Sequence, residues 1–313
     1  MLLSWKELAV SFKQELIAKR AKFFGDRKAY VAIIFLGDDY SSATYVKHKK
    51  AYGDSIALPV IVFGQSHTVE YDRNQAGKFD DVGIYINQKY DNAGKVMELI
   101  KYLNHDDECV GILIQLPLPQ QFEQYKEQLV AAITPQKDLD GLGGVILGLS
   151  WIGLVDFVPA TPKAVLYVLE QYKIDDFTGK TVAILWQSNI VGKPLVLECI
   201  KRGATVYTCN ENTPPEQIKS ITRVSDYIIS STGKVHLVDA SFFRDDQSQI
   251  VVDVWYGHID GKPVGDVHIE TIKDKVASYT PVPGGVWPLT VACIFDNVFV
   301  LQWFQEVLKP YRL

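Results

Sequence analysis

The sequence predicts an α/β protein of two domains, on the strength of three observations. Short apolar runs typical of buried strands alternate with helical stretches along the whole chain, as in helices layered on parallel sheets. The 313 residues suffice for two domains of ordinary size. Residues 141–162 are rich in glycine and proline and lack clear periodicity, so we expect the hinge between the domains there.

Apolar runs in the first half predict strands at residues 30–36, 57–63 and 111–115. Residues 1–20 precede them and are typical of an amphipathic helix. Residues 64–92 are polar and irregular, which indicates a loop insertion.

The second half predicts four strands, at residues 181–185, 205–209, 227–230 and 250–254. Residues 289–308 form a last apolar stretch that is typical of a helix. This helix follows the second set of strands, and we expect it to pack back on the first domain.

Composition excludes some classes of function. The net charge of −5 offers no basic surface for nucleic acid, and no apolar run is long enough to span a bilayer, so we expect neither partner. The four cysteines lie far apart without the spacing of metal ligands: Cys109, Cys199, Cys209 and Cys293. We therefore expect reduced thiols in a cytoplasmic protein, and no metal site.

Ser42, Tyr45 and Lys49 are the most informative local feature of the first half, because they follow the first predicted strand. Tyr45 and Lys49 are four residues apart and therefore share one face of a helix. Partial burial lowers the pKa of a lysine, so a lysine beside an aromatic hydroxyl at the end of a sheet is a candidate acid–base group. For the pair alone, the alternative is an ordinary surface contact.

The second half contains a strand, turn, helix and strand, starting from the strand at 181–185. Such a unit places a pyrophosphate at a helix N-terminus in dinucleotide-binding folds. The usual G-x-G-x-x-G pattern is missing here, which leaves open an ordinary turn capped by Ser188.

Seven motifs occur in the order that one enzyme family shows. They are S-x-x-Y-x-x-x-K at 42–49, Q-L-P-L-P at 115–119, K-D-L-D-G at 137–141, P-A-T-P at 159–162, W-Q-S-N-I-V-G-K-P at 186–194, V-G-D-V at 264–267 and T-P-V-P-G-G-V-W-P-L-T at 280–290. Through them the chain resembles the bifunctional methylenetetrahydrofolate dehydrogenase/methenyltetrahydrofolate cyclohydrolase family over residues 3–297.

The resemblance implies two α/β domains around a cleft. Residues 1–145 would form the folate-binding catalytic domain, with a C-terminal helix at 289–313, and residues 146–288 a Rossmann-like NAD(P)-binding domain. It also implies a homodimer built through the second domain. The implied reaction oxidises 5,10-methylenetetrahydrofolate with NAD or NADP, and water then opens the methenyl cation to 10-formyltetrahydrofolate.

The resemblance also implies roles for site residues. Lys49, hydrogen-bonded to Gln115, would handle the proton of the attacking water. Tyr45 would stack on the folate and orient Lys49, and Asp140 would accept hydrogen bonds from the pterin. The alternative is that Gln115 only caps a strand end and Asp140 is a turn residue.

Pro283, Gly284 and Gly285 would bring backbone close to the substrate, which glycine permits, or they form only a tight turn. Asp138 is interpreted as a structural turn residue. Thr161 is interpreted as a helix N-cap rather than a ligand.

The family pattern places these residues at the dinucleotide: Trp186, Gln187, Ser188, Val191, Gly192, Glu211, Thr213 and Tyr256. Gln187 and Glu211 stand where the family has the arginine and serine that are expected to meet the 2′-phosphate of NADP. An uncharged amide and a repelling carboxylate favour NAD, because an acid after the second strand bonds the free ribose hydroxyls. The alternative is that Glu211 faces solvent.

Tryptophan stands at four positions where the family has glycine, and at two more where glycine would be unsurprising: Trp5, Trp186, Trp255 and Trp287, then Trp151 and Trp303. Glycine allows a positive φ or the close approach of a cofactor, and an indole prevents both. A single cause would be UGA codons that the source organism reads as glycine but that were decoded as tryptophan. The alternative is genuine tryptophans in a remodelled or inactive dinucleotide site.

Three functions follow from these observations. The first is the bifunctional enzyme. The second is a cyclohydrolase alone, because Lys49, Gln115 and Asp140 are intact while the cofactor half is altered. The third is a non-catalytic folate-binding protein.

Overall fold

A computed structural model describes residues 1–4, 6–37, 40–64, 85, 88–260 and 262–311, and the side chains at 6, 41, 256, 258 and 287 lie outside this description. The chain divides into two compact units. The first unit comprises Lys13–Phe157 and Ile294–Leu313, and the second comprises Met1–Phe12 and Val158–Cys293. The domain limits expected from the sequence, at 145/146 and 288/289, stay a prediction, because a division by contacts does not test which segments fold independently.

The sheet of the first unit consists of parallel strands in the order β2–β1–β3, where β1 is Tyr30–Ile34, β2 is Val60–Phe63 and β3 is Cys109–Ile114. Every residue of β1 and β3 is buried. Parallel strands are covered on both faces, which is why these segments are continuous apolar runs without alternation.

Helices in this part of the described chain are α1 (Lys6–Phe24), α2 (Tyr40–Ser55), α3 (Ala93–His105), α4 (Gln120–Glu123), α5 (Lys126–Ala131) and α6 (Gly144–Trp151). Helix α3 shows why such a segment is helical. The side chain of Asn92 caps it by accepting a hydrogen bond from the backbone N–H of Lys95 at 3.0 Å. Its buried residues recur every three or four positions and face the core: Val96, Leu99, Ile100 and Leu103.

The second unit contains a five-stranded parallel sheet. Its strands are β4 (Thr181–Leu185), β5 (Thr205–Cys209), β6 (Tyr227–Ser230), β7 (Ile250–Asp253) and β10 (Ser278–Tyr279). A separate hairpin, formed by β8 (Tyr256–Ile259) and β9 (Lys262–Gly265), lies between β7 and β10 in the sequence. The order is β10–β7–β6–β4–β5, and the hairpin pairs antiparallel. Crossover connections between parallel strands supply the helices that cover the sheet.

The remaining helices are α7 (Ala160–Gln171), α8 (Gly192–Lys201), α9 (Pro215–Val224), α10 (Ile269–Ile272), α11 (Trp287–Trp303) and α12 (Gln305–Leu308). The division between the units falls inside α1 and inside α11. In the described chain no single helix is long and apolar enough to cross a membrane. The bent pair Pro288–Trp303 and Gln305–Tyr311, with 75° between its parts, passes that test only when taken together.

The fold class predicted from the sequence is confirmed, as are the strands at 181–185, 205–209 and 227–230. The first strand ends two residues early, at Ile34, and the fourth strand of the second half ends at Asp253. The second strand begins at Val60 rather than 57, because Ala57 lies in a turn at φ +57° that closes on Gly53.

Three other expectations need correction. Residues 141–162 are not irregular throughout, because α6 lies inside them. Thr161 is not an N-cap, since Pro159 occupies the cap position and α7 already begins at Ala160. The last apolar stretch is broken into α11 and α12. The expected thiols are confirmed, because all four cysteines are free and buried.

Candidate active site

Lys49 lies on α2, one element after β1, and only 6% of it is exposed to solvent. Its Nζ donates a hydrogen bond of 2.9 Å to Oε1 of Gln115. The amide of Gln115 is held in this orientation, because its Nε2 donates to the backbone carbonyl of Leu116 at 2.7 Å. Its backbone N–H donates to the carbonyl of Ile34, so Gln115 continues the sheet at the carboxyl end of β3. Ligands of open α/β sheets bind at that edge.

Tyr45 precedes Lys49 by one helical turn, and its side chain is half-buried. The Lys49 Nζ lies 6.0 Å from the centre of the Tyr45 ring, at the outer limit of a cation–π contact. The structure therefore brings together the two side chains that the spacing in the sequence placed on one face. Ser42, which begins the same motif, is buried.

Asp140 completes this group, although it is distant in sequence. The segment before it runs beside β3: the Ile112 N–H donates to the carbonyl of Lys137 at 2.7 Å, and the Leu139 N–H donates to the carbonyl of Ile112 at 3.3 Å. A bond from Nδ2 of Asn297 to the Leu139 carbonyl, at 3.1 Å, holds the other side of the segment. Asp140 is thus placed at the same sheet edge as Gln115.

The electrostatics of Lys49 and Asp140 are coupled. Burial lowers the pKa of Lys49, and the Asp140 carboxylate opposes that change. Burial likewise raises the pKa of Asp140, and the Lys49 ammonium opposes that change. Desolvation is the larger cause for both groups, so the amine of Lys49 becomes neutral at a lower pH than an exposed lysine does. A buried, neutral amine is able to accept a proton.

Asp138 has a different position from Asp140. Its carboxylate accepts the backbone N–H groups of Gly141 at 3.0 Å and Gly143 at 2.7 Å, and only 2% of the residue is exposed. Burial raises its pKa to about 7, and these amide hydrogen bonds oppose the rise. Both oxygens are occupied by the turn, so the geometry of Asp138 is that of a structural residue.

In the second unit, the turn between β4 and α8 is closed by Ser188. Its Oγ accepts the backbone N–H of Val191 at 3.1 Å, which closes the turn just before α8, whose N-cap is Val191. Gly192 is required here, because a β-carbon on it would lie 2.0 Å from the carbonyl oxygen of residue 186. The close helix–strand approach is a feature that suits a pyrophosphate. Ser188 already accepts the first amides of the turn, through its Oγ for Val191 and Gly192 and through its carbonyl for Lys193.

Gln187 and Glu211 flank this turn differently. The Gln187 Nε2 donates to Oγ1 of Thr208 at 2.6 Å, and its Oε1 accepts from Nδ2 of Asn210 at 3.1 Å. Glu211 is exposed. The adjoining cavity has a volume of about 150 Å³ and is lined by these residues among others: Trp186, Asn210, Glu211, Thr213, Thr232 and Lys234. The exposure of Glu211 is compatible with the alternative that it faces solvent. It is equally compatible with a position at the rim of the cavity.

Trp186 has a backbone φ of +101°, a region that side chains rarely adopt and that glycine occupies freely. The Lys234 Nζ lies 5.6 Å from the centre of its ring. Trp255 fills the space beside two glycines: a β-carbon on Gly257 would lie 2.2 Å from its ring, and one on Gly233 would lie 3.7 Å from its Nε1. The backbone at residue 186 thus has a conformation that suits glycine, while the residue that stands there lines the cavity with an indole.

Pro283, Gly284 and Gly285 also lie in the second unit. Gly284 has φ +104°, and a β-carbon on Gly285 would lie 2.7 Å from the carbonyl oxygen of Pro281. The backbone itself thus requires both glycines, whatever binds there. The side chain of Tyr256, and the expectation that it contacts the dinucleotide, lies outside the described residues, as do Trp5 and the side chain of Trp287.

Comparisons with known proteins agree with this geometry. The tetrahydrofolate dehydrogenase/cyclohydrolase catalytic domain matches residues 50–140, and the NAD(P)-binding domain of the same name matches residues 159–305. The bifunctional protein FolD of Mesoplasma florum is 35% identical over 303 residues, which are 96% of each chain. The chain belongs to the tetrahydrofolate dehydrogenase/cyclohydrolase family.

Solved structures of the family have the same fold. The bifunctional FolD enzyme of Campylobacter jejuni superposes with a TM-score of 0.82 at 32% identity, covering 97% of this chain and 99% of its own. The FolD enzyme of Trypanosoma brucei, solved with NADP and an inhibitor, gives 0.81 at 25% identity and covers 98% of each chain. The protein is therefore a bifunctional methylenetetrahydrofolate dehydrogenase/cyclohydrolase of one-carbon metabolism, with a nicotinamide dinucleotide as cofactor.

Reasoning from the sequence did not find some residues of these sites. Asn297 holds the segment that carries Asp140, across 158 positions of sequence. Thr232 and Lys234 line the cavity beside Trp186. No local sequence pattern predicts that these residues belong to a site, because their partners are distant in the chain.

Proposed function

We propose that this chain oxidises 5,10-methylenetetrahydrofolate with a nicotinamide dinucleotide and hydrolyses the methenyl product, with Lys49 as the proton-transfer group. The observation that carries this proposal is the bond from the buried Lys49 Nζ to Gln115, with the Asp140 carboxylate close enough to influence the lysine's pKa. A neutral amine at that position accepts a proton from the water that adds to the methenyl carbon. The C–O bond forms, and the remaining proton of the former water passes to N5 as the bond from that carbon to N5 breaks. 10-Formyltetrahydrofolate results, with net release of the one proton that the amine accepted.

The neighbouring residues would position the substrate. Tyr45 presents a half-buried ring one turn from Lys49, on which a planar pterin or its attached ring is able to stack. Asp140 offers a carboxylate to the paired N–H groups of the pterin, and its charge limits how far burial lowers the pKa of Lys49. Pro283, Gly284 and Gly285 would supply backbone to the same substrate.

For the dehydrogenase step, the dinucleotide supplies the acceptor for the hydride. The residues that would hold it are those of the turn and the cavity: Trp186, Gln187, Ser188, Val191, Gly192, Glu211 and Thr213. The family resemblance adds Tyr256. Glu211 places a negative charge at the cavity and Gln187 is uncharged, so we propose a preference for NAD over NADP. Gly192 allows the close approach of backbone that a pyrophosphate needs.

The dehydrogenase step depends on which residues the native protein has at the tryptophan positions. We propose that the native protein has glycine at the tryptophan positions, through UGA codons read as glycine. The positive φ of Trp186 supports this, since a tryptophan there costs about 1–3 kcal/mol of backbone strain. The exposure of the others supports it too: Trp151 is 61% and Trp303 71% exposed, although tryptophan is highly buried on average. None of the tryptophan side chains within the described part of the chain is fully buried.

The protein would act as a homodimer in the cytoplasm. The dimer rests on the family resemblance, and the compartment is supported by four buried cysteines without disulfides. Light scattering on the purified protein measures the dimer directly, and a monomeric mass at micromolar concentration would contradict it.

Two assays test the proposed function. Loss of methenyltetrahydrofolate absorbance reports hydrolysis, and formation of NADH or NADPH from methylenetetrahydrofolate reports oxidation. A cyclohydrolase without dehydrogenase activity is the second candidate, favoured specifically by the indole at Trp186. Hydrolysis without reduced dinucleotide, both before and after Trp186→Gly, would replace our proposal by that candidate. Absence of both activities, with folate still bound, would leave a binding protein.

A further inference from the structure

Two buried carboxylates of the second unit have no part in the mechanism described above. Asp253 is the last residue of β7 and is 1% exposed, and Asp266 directly follows β9 and is 0% exposed. Burial raises the pKa of both carboxyls, and hydrogen bonds from backbone amides oppose the rise. Burying a carboxylate is costly, so its hydrogen-bond partners show what it holds in place.

Asp266 holds the chain that leaves β6. Its Oδ2 accepts the Ser230 hydroxyl at 2.8 Å and the backbone N–H of Thr232 at 2.5 Å. Its Oδ1 accepts the backbone N–H of Lys234 at 3.1 Å. One side chain thus fixes three donors within five consecutive residues, 32 to 36 positions earlier in the sequence.

Asp253 in turn fixes the segment that contains Asp266. Its Oδ1 accepts the N–H of Asp266 at 3.2 Å and its Oδ2 accepts the N–H of Val267 at 2.9 Å. Gly265 permits this approach, because a β-carbon on it would lie 1.9 Å from Oδ2 of Asp253. The two carboxylates therefore form a relay of hydrogen bonds from β7 to the loop after β6.

The loop held by Asp266 is one wall of the cavity next to the β4–α8 turn. Thr232 and Lys234 line it, and the Lys234 Nζ lies above the Trp186 ring. We propose that Asp266 is a positioning residue of the dinucleotide site, which sets the backbone of residues 230–234 in the conformation that this cofactor meets. The proposal rests on the proposed dinucleotide site and extends it to a residue that does not touch the cofactor.

Amide hydrogen exchange tests the positioning without any cofactor. In Asp266→Ala, exchange at Thr232 and Lys234 should accelerate by about tenfold or more, because both amides lose a charge-assisted acceptor. Asp266→Asn keeps the shape and one acceptor oxygen, so it should restore part of the protection. If Asp266→Ala fails to fold, exchange at the same two amides is measured in Asp266→Asn instead. Unchanged exchange at these two amides would overturn the proposal.

NAD binding, measured by calorimetry in the Trp186→Gly form, tests the functional consequence. Asp266→Ala should weaken it by about tenfold, while methenyl hydrolysis stays unchanged. Asp226→Ala is the matched control, because Asp226 accepts the backbone N–H of Thr181 at the opposite end of the same sheet, at 2.9 Å. Equal weakening of NAD binding in both variants would overturn the positioning role. Failure of the Trp186→Gly form to bind NAD would count against the proposed dinucleotide site. Amide exchange at Thr232 and Lys234 would in that case still show whether Asp266 holds this loop.

Discussion

The proposed folate site of the first unit and the proposed dinucleotide site of the second differ in how well each side chain suits the backbone that carries it. In the first, the polar groups of Lys49 and Gln115 meet at 2.9 Å in a buried setting that perturbs the pKa of the lysine. In the second, the turn has the close approach that Gly192 permits, yet residue 186 holds an indole at φ +101°. A tryptophan in a backbone conformation that glycine adopts freely is what our proposal of UGA codons read as glycine predicts at this position.

The largest effect on activity is expected from replacing Lys49, because the side chains of the first site suit their backbone. Lys49→Met should reduce methenyl hydrolysis by roughly a hundredfold or more, because the proton-transfer group is lost. The variant should still fold. The sequence led us to expect only partial burial of this lysine, whereas Lys49 is 6% exposed and its burial disfavours the charged form. Chemical denaturation should still give a cooperative unfolding transition, with the free energy of unfolding lowered by about 1–3 kcal/mol because Oε1 of Gln115 loses its donor.

Lys47→Met is the matched control for this variant, because Lys47 is an exposed lysine on the same helix. It should leave hydrolysis unchanged. Near-parental hydrolysis in Lys49→Met, or an equal loss in Lys47→Met, would contradict the role given to Lys49.

The next effect concerns the dinucleotide site. Replacing Trp186, Trp255 and Trp287 by glycine should strengthen NAD binding by about tenfold or more, because the backbone becomes approachable. Relief of the backbone strain at position 186, about 1–3 kcal/mol, should separately favour folding. Hydrolysis should not change. Trp151→Gly is the control, since that side chain is 61% exposed. Unchanged NAD affinity in the triple variant would favour a genuinely remodelled site.

Asp140→Asn should affect the first site in two measurable ways. Folate binding should weaken by about 1.5–3 kcal/mol, while NAD binding is unaffected. The pH profile of hydrolysis at saturating substrate should also move. The Asp140 charge opposes the lowering of the Lys49 pKa, so its removal lowers that pKa further. Activity that requires the neutral amine then rises at a lower pH than in the parent, and a shift toward higher pH would contradict the coupling.

The smallest effect is expected in cofactor preference. Glu211→Ser combined with Gln187→Arg should move preference from NAD toward NADP, by removing a repelling carboxylate and adding a cationic partner for the 2′-phosphate. The ratio of the two dissociation constants measures it. A parent that already prefers NADP would contradict the assignment of Glu211.

The sequence predicted the parts of the molecule that local pattern determines. Strands β4, β5 and β6 were predicted to the residue, because buried parallel strands are continuous apolar runs between turns. Tyr45 and Lys49 were placed on one helix face by their spacing alone. Helix α6 was missed, because its apolar residues are interrupted by Gly148 and its flanks are rich in glycine and proline.

The burial of Lys49 and the role of Asp266 could not be predicted from the sequence, for another reason. Charged side chains are mostly exposed, so burial of a lysine is visible only when its surroundings are known. Asp266 meets Ser230 across 36 residues, and no local pattern encodes such a pair. The positive φ of residue 186 is likewise a property of the folded turn, which no local sequence pattern encodes.

The most direct test of the contrast between the two sites is peptide sequencing by mass spectrometry of the protein purified from its own organism, over residues 181–194. We predict glycine at position 186, together with UGA in the coding DNA there and at the other tryptophan positions. Tryptophan at position 186, encoded by UGG, would contradict the account, and the strained turn would then belong to a dinucleotide site that this protein has genuinely altered.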